Sequence, residues 1–240
     1  MLRNNNLTKI LNDINSILMP EVCFGCNAHL NRGEELLCTF CRNEMPLTDY
    51  DYNEENPVDR IFYGRVKVKK AASFVFFHEN GLVQRLIHQL KYRGQEQISG
   101  FFGDWYGQQI KEGRVLKGKI DLVVPVPLHP KKLRKRGYNQ TAGFASRLAF
   151  HLDAQYADNI LIKTADTRTQ TKKGRLGRWQ DDRSLYELSD PSYIKNKNIL
   201  LVDDVITTGA TMETCISTLQ EASGTTIYLA SIAVVPKLWN

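Results

Sequence analysis

The strongest constraint on the fold is an alternation that begins near residue 71 and runs almost to the end of the chain. Short, nearly continuous apolar runs are followed by stretches whose apolar positions recur every three or four residues. AASFVFF (71–77), IDLVVPVPL (120–128), NILIKT (159–164), NILLVDDV (198–205) and TIYLASIAVV (226–235) read as strands. Between them, NGLVQRLIHQLKYRG (80–94) reads as a helix with Val83, Leu86, Ile87 and Leu90 on one face. The stretch from Ile98 to Ile110, ending near Gly113, is a second helix; NQTAGFASRLAFHL (139–152) and TMETCISTLQEAS (211–223) are two more. Strands that are apolar on both sides must be covered on both faces, so the pattern predicts an α/β domain with a parallel sheet flanked by helices.

The chain has 240 residues, enough for one sizeable core and a small appendage. An apolar fraction of 42% and a charged fraction of 24% exclude a wholly disordered chain. No stretch reaches the roughly 18 to 20 consecutive apolar residues of an integral membrane span. The N-terminus has neither an apolar signal core nor a small-residue cleavage site, so the chain reads as cytoplasmic. Leu7, Ile10, Leu11, Ile14 and Leu18 recur at helical spacing and predict a short amphipathic helix that packs on the module after it.

That module carries CFGCNAHLNRGEELLCTFC, in which Cys23, Cys26, Cys38 and Cys41 form two C-x-x-C knuckles. Four thiolates brought to one point suit tetrahedral Zn²⁺, and a closed Cys₄ shell leaves no open position for chemistry, so the zinc is read as structural. Two disulfides or a redox pair are the alternatives; an oxidised framework fits poorly with a chain that lacks an export signal, and a redox motif needs no second copy. His29 reads as a surface residue, and Cys215, on a predicted helix, as a small buried hydrophobe. The expected organisation is a helix and zinc module over 1–65 and an α/β domain over 66–240, divided into a hood-like segment (66–115) and a core (116–240).

The net charge of +6 is modest, and its distribution says more. Acids collect between Glu44 and Asp59, whereas bases collect at Lys131–Arg136 and again from Arg168 to Arg183, which favours phosphate-bearing partners without establishing nucleic acid. In a parallel sheet ligands sit at the carboxyl ends of the strands. There NILLVDD ends in Asp203 and Asp204, and Thr207, Thr208, Gly209, Ala210 and Thr211 turn into the next helix. N–H groups at a helix start bind anions, threonine hydroxyls add donors, and a glycine permits close backbone approach. Two carboxylates repel a bare phosphate unless they accept hydrogen bonds from sugar hydroxyls or reach a metal ion, so a phosphorylated ribose meets both demands.

LLVDDVITTGAT resembles the 5-phosphoribosyl-1-pyrophosphate (PRPP) motif of type I phosphoribosyltransferases. With the cysteine knuckles, LKYRG (90–94), VPVPLHPKKLRKRGYNQ (124–140) and QTKKGRLGRW (170–179), the chain resembles the ComF (ComFC/GntX) family. The resemblance implies the type I phosphoribosyltransferase fold, PRPP bound with Mg²⁺, and a cytoplasmic protein that is at most peripheral to the inner membrane. By the same resemblance Asp203 and Asp204 hold the ribose hydroxyls, Thr207 to Thr211 the 5-phosphate, and Arg134 and Arg136 the pyrophosphate, with Lys91 and Arg178 beside it. The family tends to carry R-x-x-N where this chain has Arg178 and then Asp181, so the asparagine's role has no counterpart here. The segment from Gln170 to Arg183 stands where such enzymes carry a loop that closes over PRPP.

Three functions follow: phosphoribosyl transfer to an acceptor that the sequence does not identify, PRPP sensing without transfer, and handling of single-stranded DNA with competence-machinery proteins, as the family's link to DNA uptake implies. For the last, Tyr138 and Trp179 are candidate stacking residues, with core or hinge packing as the alternative. His88, His129 and His151 read as surface or packing histidines.

Overall fold

The computed structural model describes residues 21–164 and 185–236, and the predicted helix at 7–18 and the basic segment 170–183 lie outside the described residues. The chain forms two compact units, Met1–Pro46 and Leu47–Asn240. In the first, each cysteine pair closes a tight turn. Cys23 N–H donates to Ala28 O at 2.8 Å, and Asn27 N–H returns to Cys23 O at 2.8 Å. The second pair opens helix α1 (Thr39–Asn43), with Cys38 at its N-cap. The Glu34 carboxylate ties the turns together by accepting from Asn31 N–H (2.7 Å) and Thr39 N–H (2.6 Å). His29 is exposed, as expected.

Residues 47–65, expected with the cysteine module, fall within the second unit. The reason is a set of buried hydrogen bonds around α2 (Pro57–Arg60). Asn56 and Asp59 form a capping box at its start. Their side chains also reach Ala71, with Asn56 Nδ2 donating to its carbonyl (2.8 Å) and its N–H donating to Asp59 Oδ1 (2.7 Å). Ala71 lies in β1 (Lys70–Phe76), so this segment is stitched to the edge of the sheet.

From β1 the chain runs through α3 (Leu82–Tyr92), α4 (Gln97–Gly113), β2 (Leu122–Pro125), α5 (Pro130–Arg136), α6 (Ala142–Leu152) and β3 (Gln155–Tyr156). It continues through β4 (Leu161–Lys163), β5 (Tyr186–Leu188), β6 (Asn198–Ile206), α7 (Ala210–Leu219) and β7 (Thr226–Val234). Five strands form an all-parallel sheet in the order β1-β7-β6-β2-β3. One expected member is absent from it: NILIKT supplies β4, which pairs antiparallel with β5. The edge beside β2 is taken by β3, and Ile162 faces outward, so β4 has the alternation of a half-covered ribbon.

The predicted face of α3 is buried, and Cys215 lies wholly in the core. α4 and α6 pack closely because Gly103 and Gly107 carry no side chain; a Cβ on Gly107 would stand 2.5 Å from the His151 ring. His151 is therefore a packing residue, with Nε2 3.0 Å from Asp104 Oδ1. Among the described residues no helix is long and apolar enough to cross a membrane.

Candidate functional site

β2 ends with Pro125 opposite Val202, whereas β6 continues beside β7 to Ile206. The last turn of β6 thus leaves the cover of β2, and Asp203 and Asp204 stand at that step. Successive strand residues point to opposite faces, which gives the two acids different surroundings.

Asp204 is only 5% exposed. Lys91, in the last turn of α3, places its Nζ 2.9 Å from Asp204 Oδ1, and Gln140 Nε2 donates to Oδ2 at 2.7 Å. Gln140 Oε1 in turn accepts from Arg136. A continuous chain of polar contacts therefore runs Lys91–Asp204–Gln140–Arg136. Gln140 is fixed by its own backbone, whose carbonyl accepts from the buried Ser99 Oγ at 2.6 Å. Tyr138 donates its hydroxyl to Leu90 O, which binds the end of α3 to the segment after α5 and accounts for Tyr138 as a hinge contact.

Asp203 is half-buried and borders a hollow lined by Val205–Met212. Burial, then the neighbouring Asp204 carboxylate, push its pKa up to about 7. Thr207, Thr208 and Thr211 are exposed at this hollow, and Gly209, with φ +78°, caps α7 without a side chain. An exposed hydroxyl-rich turn at the start of a ten-residue helix is suited to an anion.

On the other side of Lys91 opens a cleft of about 480 Å³, lined by Lys91, Tyr92, Gly94, Lys131, Lys132, Lys135 and Arg136. The basic run forms the helix α5. Its periodicity sorts the cations, because residues 131, 132, 135 and 136 share one side at 100° per residue while Arg134 points elsewhere and is exposed outside the cleft lining. His129 is the N-cap of α5, its Nδ1 accepting from Lys131 N–H at 3.2 Å. His88 is exposed and its ring is tilted 46° to that of Tyr92, with ring centroids 5.0 Å apart. Tyr92 itself is 68% exposed, and the Arg136 guanidinium carbon stands 5.7 Å from its ring centroid. Arg178 and Trp179 lie outside the described residues. Sequence reasoning missed Gln140 and Tyr92; the signal for both was their place in YNQ and KYRG, next to the basic residues.

In the first unit the Sγ atoms of Cys23, Cys26, Cys38 and Cys41 all lie within 4.8 Å of one another, Cys26 and Cys38 at 3.6 Å. Metal–sulfur arms of ~2.3 Å imply tetrahedral edges of about 3.8 Å, so the donor set fits one four-coordinate metal ion. All four cysteines are unbridged, as a metal-binding set requires. Although burial raises it, the Cys23 thiol is brought down to about 7 by backbone N–H groups of Cys38, Cys26 and Gly25, whereas burial drives Cys41 well up.

Comparison with known proteins agrees with this geometry. Residues 141–239 match the Phosphoribosyl transferase domain family. Competence protein F of Haemophilus influenzae is 29% identical over 200 residues, covering 79% of this chain and 86% of that protein. Competence protein ComFC of Bacillus subtilis is 25% identical over 198 residues, covering 82% and 77%. The chain is thus similar to these competence proteins over most of its length. Its α/β unit has the type I phosphoribosyltransferase fold, preceded by a cysteine cluster able to bind a metal ion. DNA utilization protein YhgH of Escherichia coli K12 is 28% identical over 129 residues, and the match spans only 56% of that relative's length. The family match includes the acid pair and the threonine turn, but Lys91, Arg136 and Gln140 precede it.

Proposed function

We propose that this chain, like the competence proteins it resembles, is a ComF-type protein that binds PRPP as its Mg²⁺ complex and transfers the phosphoribosyl group to an acceptor with release of pyrophosphate. The observation that carries the reading is the polar chain Lys91–Asp204–Gln140–Arg136, which joins an anion-suited turn to a cation-lined cleft across a pair of carboxylates. PRPP has the matching order of groups: a 5-phosphate for Thr207–Thr211, ribose hydroxyls for Asp203 and Asp204, and a pyrophosphate for Arg136 and Lys91. Guanidinium forks match phosphate oxygens, and the lysines of α5 add charge. Arg178 joins them on the sequence resemblance alone, and Arg134 is left without a ligand role.

In the reaction the bond from the ribose anomeric carbon to the pyrophosphate oxygen breaks. The electron pair leaves with pyrophosphate, and a lone pair on the acceptor forms the new bond to that carbon. Positive charge on the sugar and negative charge on the leaving group grow together, so cations fixed at the cleft stabilise the departing anion. Mg²⁺ bound with PRPP supplies further neutralisation of that group. The Cys₄ module holds structural zinc in this reading. Non-catalytic PRPP sensing uses the same contacts and differs only in the absence of transfer.

A second reading is favoured by one observation, the exposed Tyr92 ring in a cleft with five cationic side chains. Basic grooves with stacking aromatics bind single-stranded nucleic acid, so the cleft is proposed to serve single-stranded DNA, in keeping with relatives named for competence and DNA utilization. Release of labelled pyrophosphate from PRPP across a panel of acceptors, beside titration with labelled oligonucleotides, separates these readings. Transfer supports the enzyme, and PRPP binding without transfer leaves the sensor. Competition between PRPP and oligonucleotide assigns both to one surface.

A further inference from the structure

The threonine turn is held from behind by a segment outside the matched region. Arg65 donates from NH1 to Thr208 O at 2.7 Å and to Ile61 O at 3.1 Å, and its NH2 pairs with Glu213 in the first turn of α7. The ion pair alone accounts for little, because both partners are about one-third exposed and such pairs contribute at most about 1 kcal/mol. The carbonyl contact has a sharper consequence. In a trans peptide the C=O and the following N–H lie in one plane and point in opposite directions, and among the described residues no peptide bond is cis. Fixing Thr208 O on the side of Arg65 turns Gly209 N–H to the opposite side, and Gly209 itself lines the hollow bordered by Asp203 and the threonines.

Two further observations agree. Gly209 holds φ +78°, and a Cβ there would stand 2.9 Å from Ile61 Cγ2 and 3.0 Å from the Phe62 ring, so the segment with Arg65 presses on the back of the turn. Among the described residues no protein group accepts from Gly209 N–H. The donor of a buried glycine that lines a hollow is left for an external acceptor.

We propose that Arg65 is a positioning residue for the anion site: by holding the Thr208 carbonyl it aims Gly209 N–H at a phosphate ester bound at the start of α7. The identity of that ester as the 5-phosphate of a phosphoribosyl ligand rests on the function proposed above; the orientation of the amide does not. Arg65 touches no ligand itself and acts through the peptide plane.

The test uses the full chain, with Arg65→Gln and Arg65→Lys, and two probes that divide the site. Ribose 5-phosphate reports the threonine turn and inorganic pyrophosphate reports the basic cleft, while the Gly209 amide resonance reports the peptide without any ligand. Arg65→Gln is expected to weaken ribose 5-phosphate about tenfold, as for loss of a charge-assisted hydrogen bond, and to leave pyrophosphate within about twofold. The Gly209 amide shifts and exchanges faster in Arg65→Gln, and Arg65→Lys, which keeps one donor, restores part of both effects. A general loss of structure would weaken both probes equally. If wild type fails to bind ribose 5-phosphate, the phosphoribosyl reading falls while the Gly209 amide still decides the role of Arg65. If Arg65→Gln does not fold, Glu213→Gln loosens the same guanidinium and is expected to shift the amide less, in the same direction. An unmoved Gly209 amide in a folded variant overturns the proposal.

Discussion

Two polar clusters in this molecule are built on opposite principles. The cysteine cluster gathers four donor atoms of one kind within 4.8 Å, and like neighbours cannot all ionise together without a cation between them. Around Asp204, an ammonium, a carboxylate, an amide and a guanidinium satisfy one another in sequence. The first cluster is suited to an ion from outside. The second is complete on its own; under the proposed function a ligand would enter it by exchanging partners, most directly by drawing Lys91 from Asp204. A cluster's charge balance thus separates a site that holds its residues together from one that remains open to substrate.

The largest expected effect follows for the first cluster. Stripping metal with a strong chelator, or Cys41→Ser, should abolish ordered amide signals over 21–46, since structural zinc supplies roughly 10 kcal/mol or more of local folding free energy. The melting transition of 47–236 should change little. A cooperative loss of both units would break the comparison, as would a folded 21–46 segment in protein shown to be free of metal.

The second cluster should respond more mildly. Lys91→Met leaves Asp204 buried without its cation and is expected to cost about 2 kcal/mol, below the figure for a fully buried pair because Lys91 is partly solvated. Arg134→Met, outside the cleft lining, should cost less than about 0.5 kcal/mol. Equal effects of the two substitutions in chemical denaturation would show that the Asp204 network is not a distinct structural unit.

A further expected effect is a pH dependence. Asp203 is raised from the ordinary carboxyl value of about 4 to about 7, so between those values the folded state holds a proton that the unfolded state lacks. Its contribution to stability therefore falls as pH rises from about 4 to 7, and Asp203→Asn should remove that slope. Binding of Mg²⁺ and PRPP, which favours the carboxylate, should release a proton near pH 6, detectable as a dependence of binding heat on the buffer. Identical slopes in wild type and Asp203→Asn would locate the titration elsewhere.

The sheet and the acid-bearing strand were legible because an apolar run and its bounding turn are local signals. The same run concealed the difference between Asp203 and Asp204, which depends on where β2 stops and on Lys91, 113 residues away. α5 is missing from the helices that periodicity identifies because Leu133 is its sole apolar position; the available signals were Pro130 at the helix start and Gly137 just past its end. β4 was misplaced because a three-residue strand carries too little pattern to name its partner. The place of Gln140 beside the basic run hinted at a role, but its partner Asp204 lies 64 residues away and could not be named from sequence.

The central claim is that the carboxylate pair, the threonine turn and the basic cleft bind one ligand. Titration calorimetry of Mg²⁺ and PRPP against wild type and against the Asp203→Asn, Asp204→Asn double variant, with the melting temperature of each recorded, tests it most directly. Saturable binding by wild type, weakened at least about tenfold in a double variant that still melts cooperatively, is the predicted result, given that each lost hydrogen bond to a charged group is worth ~1.5–3 kcal/mol. Equal affinity in the two proteins, or no binding by folded wild type, would contradict it.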